Sequence, residues 1–99
     1  MRMNPKALRQ MQRMQEQMLQ ELAQKTVEVT VGGGAVRMVV NGQQEVQEID
    51  IAPEVVDPED IEMLQDLLIA AFNEAVSRSR DLAEEGVRSL LGGLGLPGP

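Results

Sequence analysis

The sequence predicts an α+β fold in which an N-terminal helix leads into a three-stranded antiparallel meander and then into a long C-terminal helix. Three observations support this order. Residues 5–25 are rich in good helix formers, residues 26–51 alternate apolar and polar side chains, and residues 58–80 carry an apolar stripe at helical spacing. The length of 99 residues suits one small domain. We expect residues 1–91 to form this domain and residues 92–99 to be a flexible Gly/Pro tail.

The first helix is predicted to begin at Pro5, because proline suits the first helical position and Asn4 before it is a favourable N-cap. No β-branched residue occurs before Thr26. At about 100° per residue, the apolar side chains gather on one side of this helix. We expect that side to pack in the core or at a dimer seam, with an adaptable partner groove as the alternative. Its principal members are Met11, Met14, Met18 and Leu22.

The opposite side of the first helix is basic. Its four bases are Arg2, Lys6, Arg9 and Arg13. They fall within roughly 60° of one another on the helical wheel and stand about 5–6 Å apart, close to the spacing of phosphates along a nucleic-acid strand. Contact with phosphates and an ordinary solvated face both remain open. A helix lying on an anionic membrane is disfavoured, because the apolar side has no Trp or Phe.

Residues 26–51 predict a sheet with one apolar face. In TVEVTV (26–31) and AVRMVV (35–40) apolar residues recur at alternate positions, and the three glycines between these strands suit a turn. Asn41-Gly42 is a strong hairpin signal, since both residue types tolerate positive φ. In the third strand, QEVQEIDI (44–51), Val46 is out of phase with the two isoleucines, and a β-bulge near Gln47 would restore the alternation.

The second helix is predicted to begin at Pro58 with Asp57 as its N-cap. We expect it to run to about Arg80, with a continuation to Leu91 and a break near Gly86 left open. Its apolar stripe is wide and comprises Ile61, Leu64, Leu67, Leu68, Ala71, Phe72 and Ala75.

The composition excludes several classes of site. There is no Cys and no His, so disulfides, thiol nucleophiles, imidazole catalysis and the usual zinc sites are impossible. The GGGAVR segment lacks the Lys-Ser/Thr ending of a phosphate-binding loop. No apolar run is long enough to span a bilayer, and no signal peptide is recognisable. We therefore expect no enzyme activity, metal, cofactor, membrane or small-molecule substrate.

Charge is distributed unevenly along this acidic chain, whose net charge is -7. Residues 1–25 hold five bases and two acids, whereas residues 26–57 hold one base and six acids and residues 58–99 hold three bases and eight acids. A basic projection on an acidic body can still bind a polyanion locally, because salt screens charges beyond about 8–10 Å. Arg78 and Arg80 are candidates for a second anion contact, against the alternative of a solvated helix face.

The assembled motifs resemble the YbaB/EbfC family of bacterial nucleoid-associated DNA-binding proteins. The resemblance covers roughly residues 5–85 and includes GGGAVRMVVNG (32–42), IDIAPEVV (49–56) and LQDLLIAAFNEAVSRS (64–79). Its most specific parts are the Gly-rich turn followed by Val-x-x-x-Val-Asn-Gly, and DLLIAAFNEA (66–75) in the second helix. It implies an α–βββ–α protomer, an intertwined tweezer-like homodimer with projecting helical arms, and binding to double-stranded DNA with low sequence selectivity. Unlike the family pattern, we expect the first helix to start almost at Met1, without a longer Gly-rich leader.

We therefore expect a cytoplasmic, nucleoid-associated homodimer that binds double-stranded DNA mainly through phosphate contacts and serves chromosome organisation or gene regulation. The expected DNA-binding residues are Arg2, Lys6, Arg9 and Arg13, with Arg78 and Arg80 as helpers. The alternative is an oligomeric adaptor or small chaperone that uses the Met-rich side of the first helix.

Overall fold

The fold has two helices and one three-stranded sheet, in the predicted order. The computed structural model describes residues 4–93. Its helices are α1 (Pro5–Gln24) and α2 (Ile61–Gly93), and its strands are β1 (Thr26–Val31), β2 (Val36–Asn41) and β3 (Val46–Ile51). The strands lie in the order β1-β2-β3, and both neighbouring pairs are antiparallel. A short 3₁₀ turn at Gly32–Gly34 connects β1 and β2, and a second at Pro53–Val55 follows β3. The predicted α+β architecture is confirmed.

Helix α1 begins as its sequence predicts. The Asn4 side chain accepts a hydrogen bond of 2.7 Å from the backbone N–H of Ala7, and Pro5 follows in the first turn. The helix ends at Gln24 because Lys25 adopts an extended conformation, from which its N–H donates to the carbonyl of Glu21 at 3.0 Å. This change of backbone conformation turns the chain directly into β1.

The core lies between the apolar face of the sheet and α2. Val29 and Met38 are cross-strand partners, and Ala71 and Ala75 of α2 are fully buried against this face. The small alanine side chains allow the helix to approach the sheet closely, so the single stripe of α2 covers β1 and β2. The core cluster as a whole comprises Val29, Val36, Met38, Val40, Ala71 and Ala75.

The β2–β3 hairpin contains the predicted bulge. The register shifts so that Val39 faces Glu48 while Val40 faces Val46, which leaves Gln47 as the extra residue. The predicted hairpin at Asn41-Gly42 is confirmed, but neither residue adopts positive φ: Asn41 remains in β2, and the positive φ of this turn, 63°, belongs to Gln44. Gly42 is required for another reason, because a Cβ there would lie 3.0 Å from the carbonyl oxygen of Leu22.

Helix α2 begins three residues later than predicted. The Asp57 carboxylate accepts a hydrogen bond from the N–H of Glu59 within a turn, and the Asp60 carboxylate caps the helix by accepting from the N–H of Met63 at 3.3 Å. Asp60, not Asp57, is therefore the N-cap.

The far end of α2 is continuous through Gly86 and extends to Gly93, so it includes two residues that the sequence assigned to the tail. Residues 94–99 lie outside the described residues, where the flexible tail stays a prediction. The chain is elongated, with extents of 64 × 25 × 21 Å and a radius of gyration of 18.8 Å, against about 13 Å for a compact domain of this length. Neither helix has, within residues 4–93, a stretch long and apolar enough to cross a membrane.

Candidate nucleic-acid interface

The basic face of α1 is exposed to solvent along the first half of the helix. We define the basic face as Lys6, Arg9 and Arg13; Arg2, the fourth predicted base, lies outside the described residues. Lys6, Arg9 and Arg13 are all exposed. Residues 4–15 contain no acid, and the ion pairs found in residues 4–93 involve only Arg37 and Arg78. The basic face therefore presents uncompensated positive charge on one side of a helix.

The opposite side of α1 is buried only near its C-terminal end. Leu22 is buried and Met18 is half-buried, whereas Met14 and Met11 are exposed in the single chain. Met14 and Met18 line a shallow groove together with Leu90 of α2, and Leu22 meets Gly86. The two helices thus run antiparallel, and the N-terminal part of α1 points away from the sheet.

The two arginines of α2 lie apart from the basic face. The Arg78 Nε donates to the Glu74 carboxylate at 3.0 Å, and Arg78 lines a groove beside Glu28 on the edge of β1. Arg80 is exposed, and two helical steps place it about 200° around α2 from Arg78. The N-terminal part of α1 lies beside Leu90 of α2, where Leu8 and Met11 line a groove with it. Arg78 and Arg80 precede Leu90 by at least ten positions, so they lie farther back along α2. The structure brings Lys6, Arg9 and Arg13 together and leaves Arg78 and Arg80 separate.

Arg37 forms a charge cluster on the outer face of the sheet that was not predicted from the sequence. Its guanidinium contacts the carboxylates of Asp50 at 2.7 Å, Glu28 at 3.1 Å and Glu48 at 3.2 Å. Hydrogen bonds to Glu48, then Asp50 and Glu28, raise the pKa of Arg37 above its ordinary value. The alternation of β1 and β2 places Glu28 and Arg37 outward, but only the strand register shows that three carboxylates share one base. This face retains net negative charge.

The β2–β3 turn holds the C-terminal end of α1. The Gly42 N–H donates to the carbonyl of Leu22 at 2.8 Å, and the Asn41 amide donates to the carbonyl of Ala23 at 3.2 Å. The Gln43 side-chain amide donates to the carbonyl of Leu19. These contacts satisfy carbonyl groups that the end of a helix otherwise leaves without a partner.

Apolar side chains are left uncovered on one side of the molecule. Val46, Ile49 and Ile51 of β3 are 41%, 44% and 37% exposed, because α2 packs over β1 and β2. Ile69 and Phe72 of α2 are 59% and 45% exposed. Several large apolar side chains left exposed on a small protein are typical of a protein–protein interface.

Within residues 4–93, no group of three Asp or Glu side chains converges as a metal site. The grooves between α1 and α2 are lined by Met14, Met18 and Leu90 among others, on the side of α1 opposite the basic face.

Comparison with known proteins agrees with this arrangement. The model of the YbaB/EbfC DNA-binding family matches residues 1–94. The chain is 48% identical over 96 residues to a nucleoid-associated protein of Pelotomaculum thermopropionicum, an alignment that covers 94% of this chain and 91% of the relative. It is 54% identical over 85 residues to a nucleoid-associated protein of Chloroflexus aurantiacus, which covers 86% of this chain and 85% of the relative.

A solved structure shares the fold. The crystal structure of an uncharacterized protein from Helicobacter pylori superimposes with a TM-score of 0.67 at 23% identity and covers 94% of this chain and 98% of that one. At this identity the likeness concerns the fold alone. The family match over almost the whole chain and the identities near one half lead to one conclusion: the chain belongs to the YbaB/EbfC DNA-binding family.

Proposed function

We propose that this protein is a non-enzymatic, nucleoid-associated protein that binds double-stranded DNA mainly through phosphate contacts made by the basic face of α1. The observation that carries the proposal is the exposure of Lys6, Arg9 and Arg13 on one side of a helix segment that contains no acid. Membership of a DNA-binding family supports DNA as the polyanion. The alternative of an adaptor or small chaperone has no comparable support from the relatives, which are named nucleoid-associated proteins.

The basic face can attract phosphates because it lies far from the carboxylates of the sheet. Arg9 precedes Leu22, where α1 is held to the body, by 13 residues. This separation corresponds to about 20 Å along the helix axis. The distance exceeds the Debye length of about 8–10 Å at physiological salt, so a bound phosphate near Arg9 is largely screened from the carboxylates of the sheet.

A homodimer would double the number of phosphate contacts. We propose that the uncovered apolar surface of β3 and α2, which includes Ile49, Ile51 and Phe72, packs against the same surface of a second copy. With four bases per protomer, including Arg2, a dimer makes eight contacts, and the logarithm of the binding constant falls with the logarithm of salt concentration with a slope of about −7. Arg80 can add to this contact, and we expect less from Arg78 because Glu74 already pairs with it.

In the cell, such a protein would be found in the cytoplasm on the nucleoid and would serve chromosome organisation or gene regulation. Phosphate contacts carry little sequence information, so binding to many sites is expected. This breadth suits a role in arranging DNA over long stretches.

The decisive experiment measures binding to a random-sequence duplex by fluorescence anisotropy over a series of salt concentrations. Replacing both Arg9 and Arg13 by alanine removes four of the eight contacts of a dimer and should reduce the slope from about −7 to about −3.6 for every duplex sequence. Replacing Gln17 and Gln20 by alanine is the matched control on the same helix, and it should leave the slope unchanged. A slope that the double arginine variant does not alter would show that the basic face only keeps the helix hydrated.

A further inference from the structure

The β2–β3 turn contacts the C-terminal end of α1 through both apolar packing and hydrogen bonds. Helix α1 has one buried residue, Leu22, and its side chain lies between two glycines. A Cβ added at Gly42 would lie 3.0 Å from the Leu22 Cδ2, and one added at Gly86 would lie 3.3 Å from it. The side chain is therefore held between the turn and α2, with no room for a larger neighbour on either side.

Polar contacts fix the direction of the same helix end. Two of its last four carbonyls, those of Leu22 and Ala23, accept hydrogen bonds from the turn, and Gln43 adds a contact one helical turn earlier, at Leu19. Three donors at different positions around the axis define both the position and the tilt of a helix, whereas a single contact would act as a pivot.

The turn is itself held to the body. Asn41 is buried, and its side-chain oxygen accepts hydrogen bonds from the N–H groups of Gln43 at 2.9 Å and Glu45 at 3.0 Å. The next residue, Gln44, donates its N–H to the hydroxyl of the buried Ser79 of α2 at 2.8 Å. The orientation of α1 is thus transmitted through the turn to both the sheet and the long helix.

We infer that the β2–β3 turn is a joint that sets the direction of the basic face, and that Asn41, Gly42 and Gln43 are positioning residues for DNA binding. This inference rests on the proposed function. We call residues 5–18 the arm, because beyond Leu22 and Met18 the helix is almost entirely exposed. With Leu22 as the fixed point, Arg9 lies about 20 Å away, so a tilt of about 15° moves it by about 5 Å. That displacement equals the spacing between neighbouring cations of the basic face, so with a loosened joint the free protein would hold the bases in line with successive phosphates only part of the time.

The test distinguishes the direction of α1 from its charge, because the variants alter the turn and leave every base in place. Gln43 is exposed, so its replacement by alanine removes the contact with Leu19 without opening the core. Asn41→Asp keeps the oxygen that organises the turn but removes the amide that donates to the carbonyl of Ala23 and, at 2.8 Å, to the carboxylate of Glu45. It also sets a buried carboxylate against that of Glu45, so Gln43→Ala is the cleaner of the two variants. The matched control is Gln47→Ala, since Gln47 is an exposed glutamine in the neighbouring bulge.

The measurement is the distance between two spin labels, one on the arm and one on the body. The chain has no cysteine, so Gln10→Cys and Thr30→Cys label only these exposed positions. Labelled chains are mixed with an excess of unlabelled chains so that distances within one protomer are measured. We expect Gln43→Ala and Asn41→Asp to broaden the distance distribution by several ångströms and to weaken binding to a random duplex about 3- to 10-fold. The slope against salt should be unchanged, because no base is lost.

Two results would refute the inference that the turn sets the direction of the basic face. One is a distance distribution for Gln43→Ala as narrow as that of Gln47→Ala. The other is a broadened distribution with DNA affinity unchanged, which would make the turn a structural contact without a positioning role. If Asn41→Asp does not fold, the exposed Gln43 variant alone decides. Failure of the proposed function is recognised separately, because it leaves the salt slope of the Arg9→Ala/Arg13→Ala variant at the parent value.

Discussion

Replacing Gly42 by alanine should destabilise the protein by about 2–4 kcal/mol, although alanine is normally tolerated better than glycine. The new Cβ would lie 3.0 Å from both the carbonyl oxygen and the Cδ2 of Leu22 and 3.2 Å from its Cβ. Two of these atoms belong to the rigid part of the helix, so a rotamer change cannot relieve the contact. Helix α1 must therefore move away from the turn.

The magnitude follows from two contributions. Overpacking of a closely filled site costs about 1–3 kcal/mol. The displacement also weakens the hydrogen bond of 2.8 Å from the Gly42 N–H to the carbonyl of Leu22, and a bond of this kind contributes about 0.5–1.5 kcal/mol. Backbone strain adds nothing, because positive φ values in this part of the chain occur at Gln44 and not at Gly42. The sum is a large share of the roughly 5–15 kcal/mol that stabilises a typical domain.

Urea-induced unfolding, followed by circular dichroism at one fixed protein concentration, measures the change in the free energy of unfolding. The control is Gly92→Ala in α2, where an added Cβ meets no atom within 4 Å. This control should equal the parent or exceed its stability by up to about 1 kcal/mol. A Gly42→Ala variant within about 0.5 kcal/mol of the parent would refute the close contact between the turn and α1.

Further outcomes follow from four individual side chains. Met38→Ala removes a fully buried side chain from the middle of the core and should lower the free energy of unfolding by about 2–5 kcal/mol in the same urea experiment. Asp60→Ala removes the cap of α2 and should cost about 1 kcal/mol, and an equal loss for Asp57→Ala would contradict the assigned helix start. Arg37→Met leaves three carboxylates without their shared partner, so thermal unfolding should occur at a lower temperature than in the parent, with a larger difference at low salt. Because the pKa of Arg37 is raised in the folded state, its stabilising contribution is lost only as pH rises through that pKa, and titration up to pH 10 should leave it intact. Phe72→Glu places a charge on the uncovered apolar surface and should shift the species seen by light scattering from dimer to monomer, whereas an unchanged mass would place the dimer interface elsewhere.

Local signals in the sequence were sufficient for most of the fold. Asn4 and Pro5 mark the start of α1, and the phase error at Val46 locates the bulge at Gln47. Both features depend on residues a few positions apart, which is the range over which sequence patterns are informative. The start of α2 was predicted three residues too early because Asp57 and Asp60 are both good capping residues. The Asp57 side chain instead bonds to a backbone N–H two residues ahead, a local turn that competes with helix capping.

The basic face could be predicted for the same reason, because its members lie only a few positions apart in the sequence. The spacing of Lys6, Arg9 and Arg13 reveals a basic face on any helix. The contact between Gln43 and Leu19, by contrast, joins residues 24 positions apart, and the cluster around Arg37 depends on the register of three strands. Neither has a periodic signature, so each becomes visible only when the segments are placed in space.

The charge cluster around Arg37 has a consequence for the way a duplex meets this protein. Three carboxylates sharing a single guanidinium leave the outer sheet surface anionic, and a duplex that drifts toward it is repelled before contact. If DNA binds to the basic face as proposed, productive collisions begin near the N-terminal end of α1. Under the proposed function, the cluster around Arg37 would then favour one orientation of the encounter before any bond to DNA has formed.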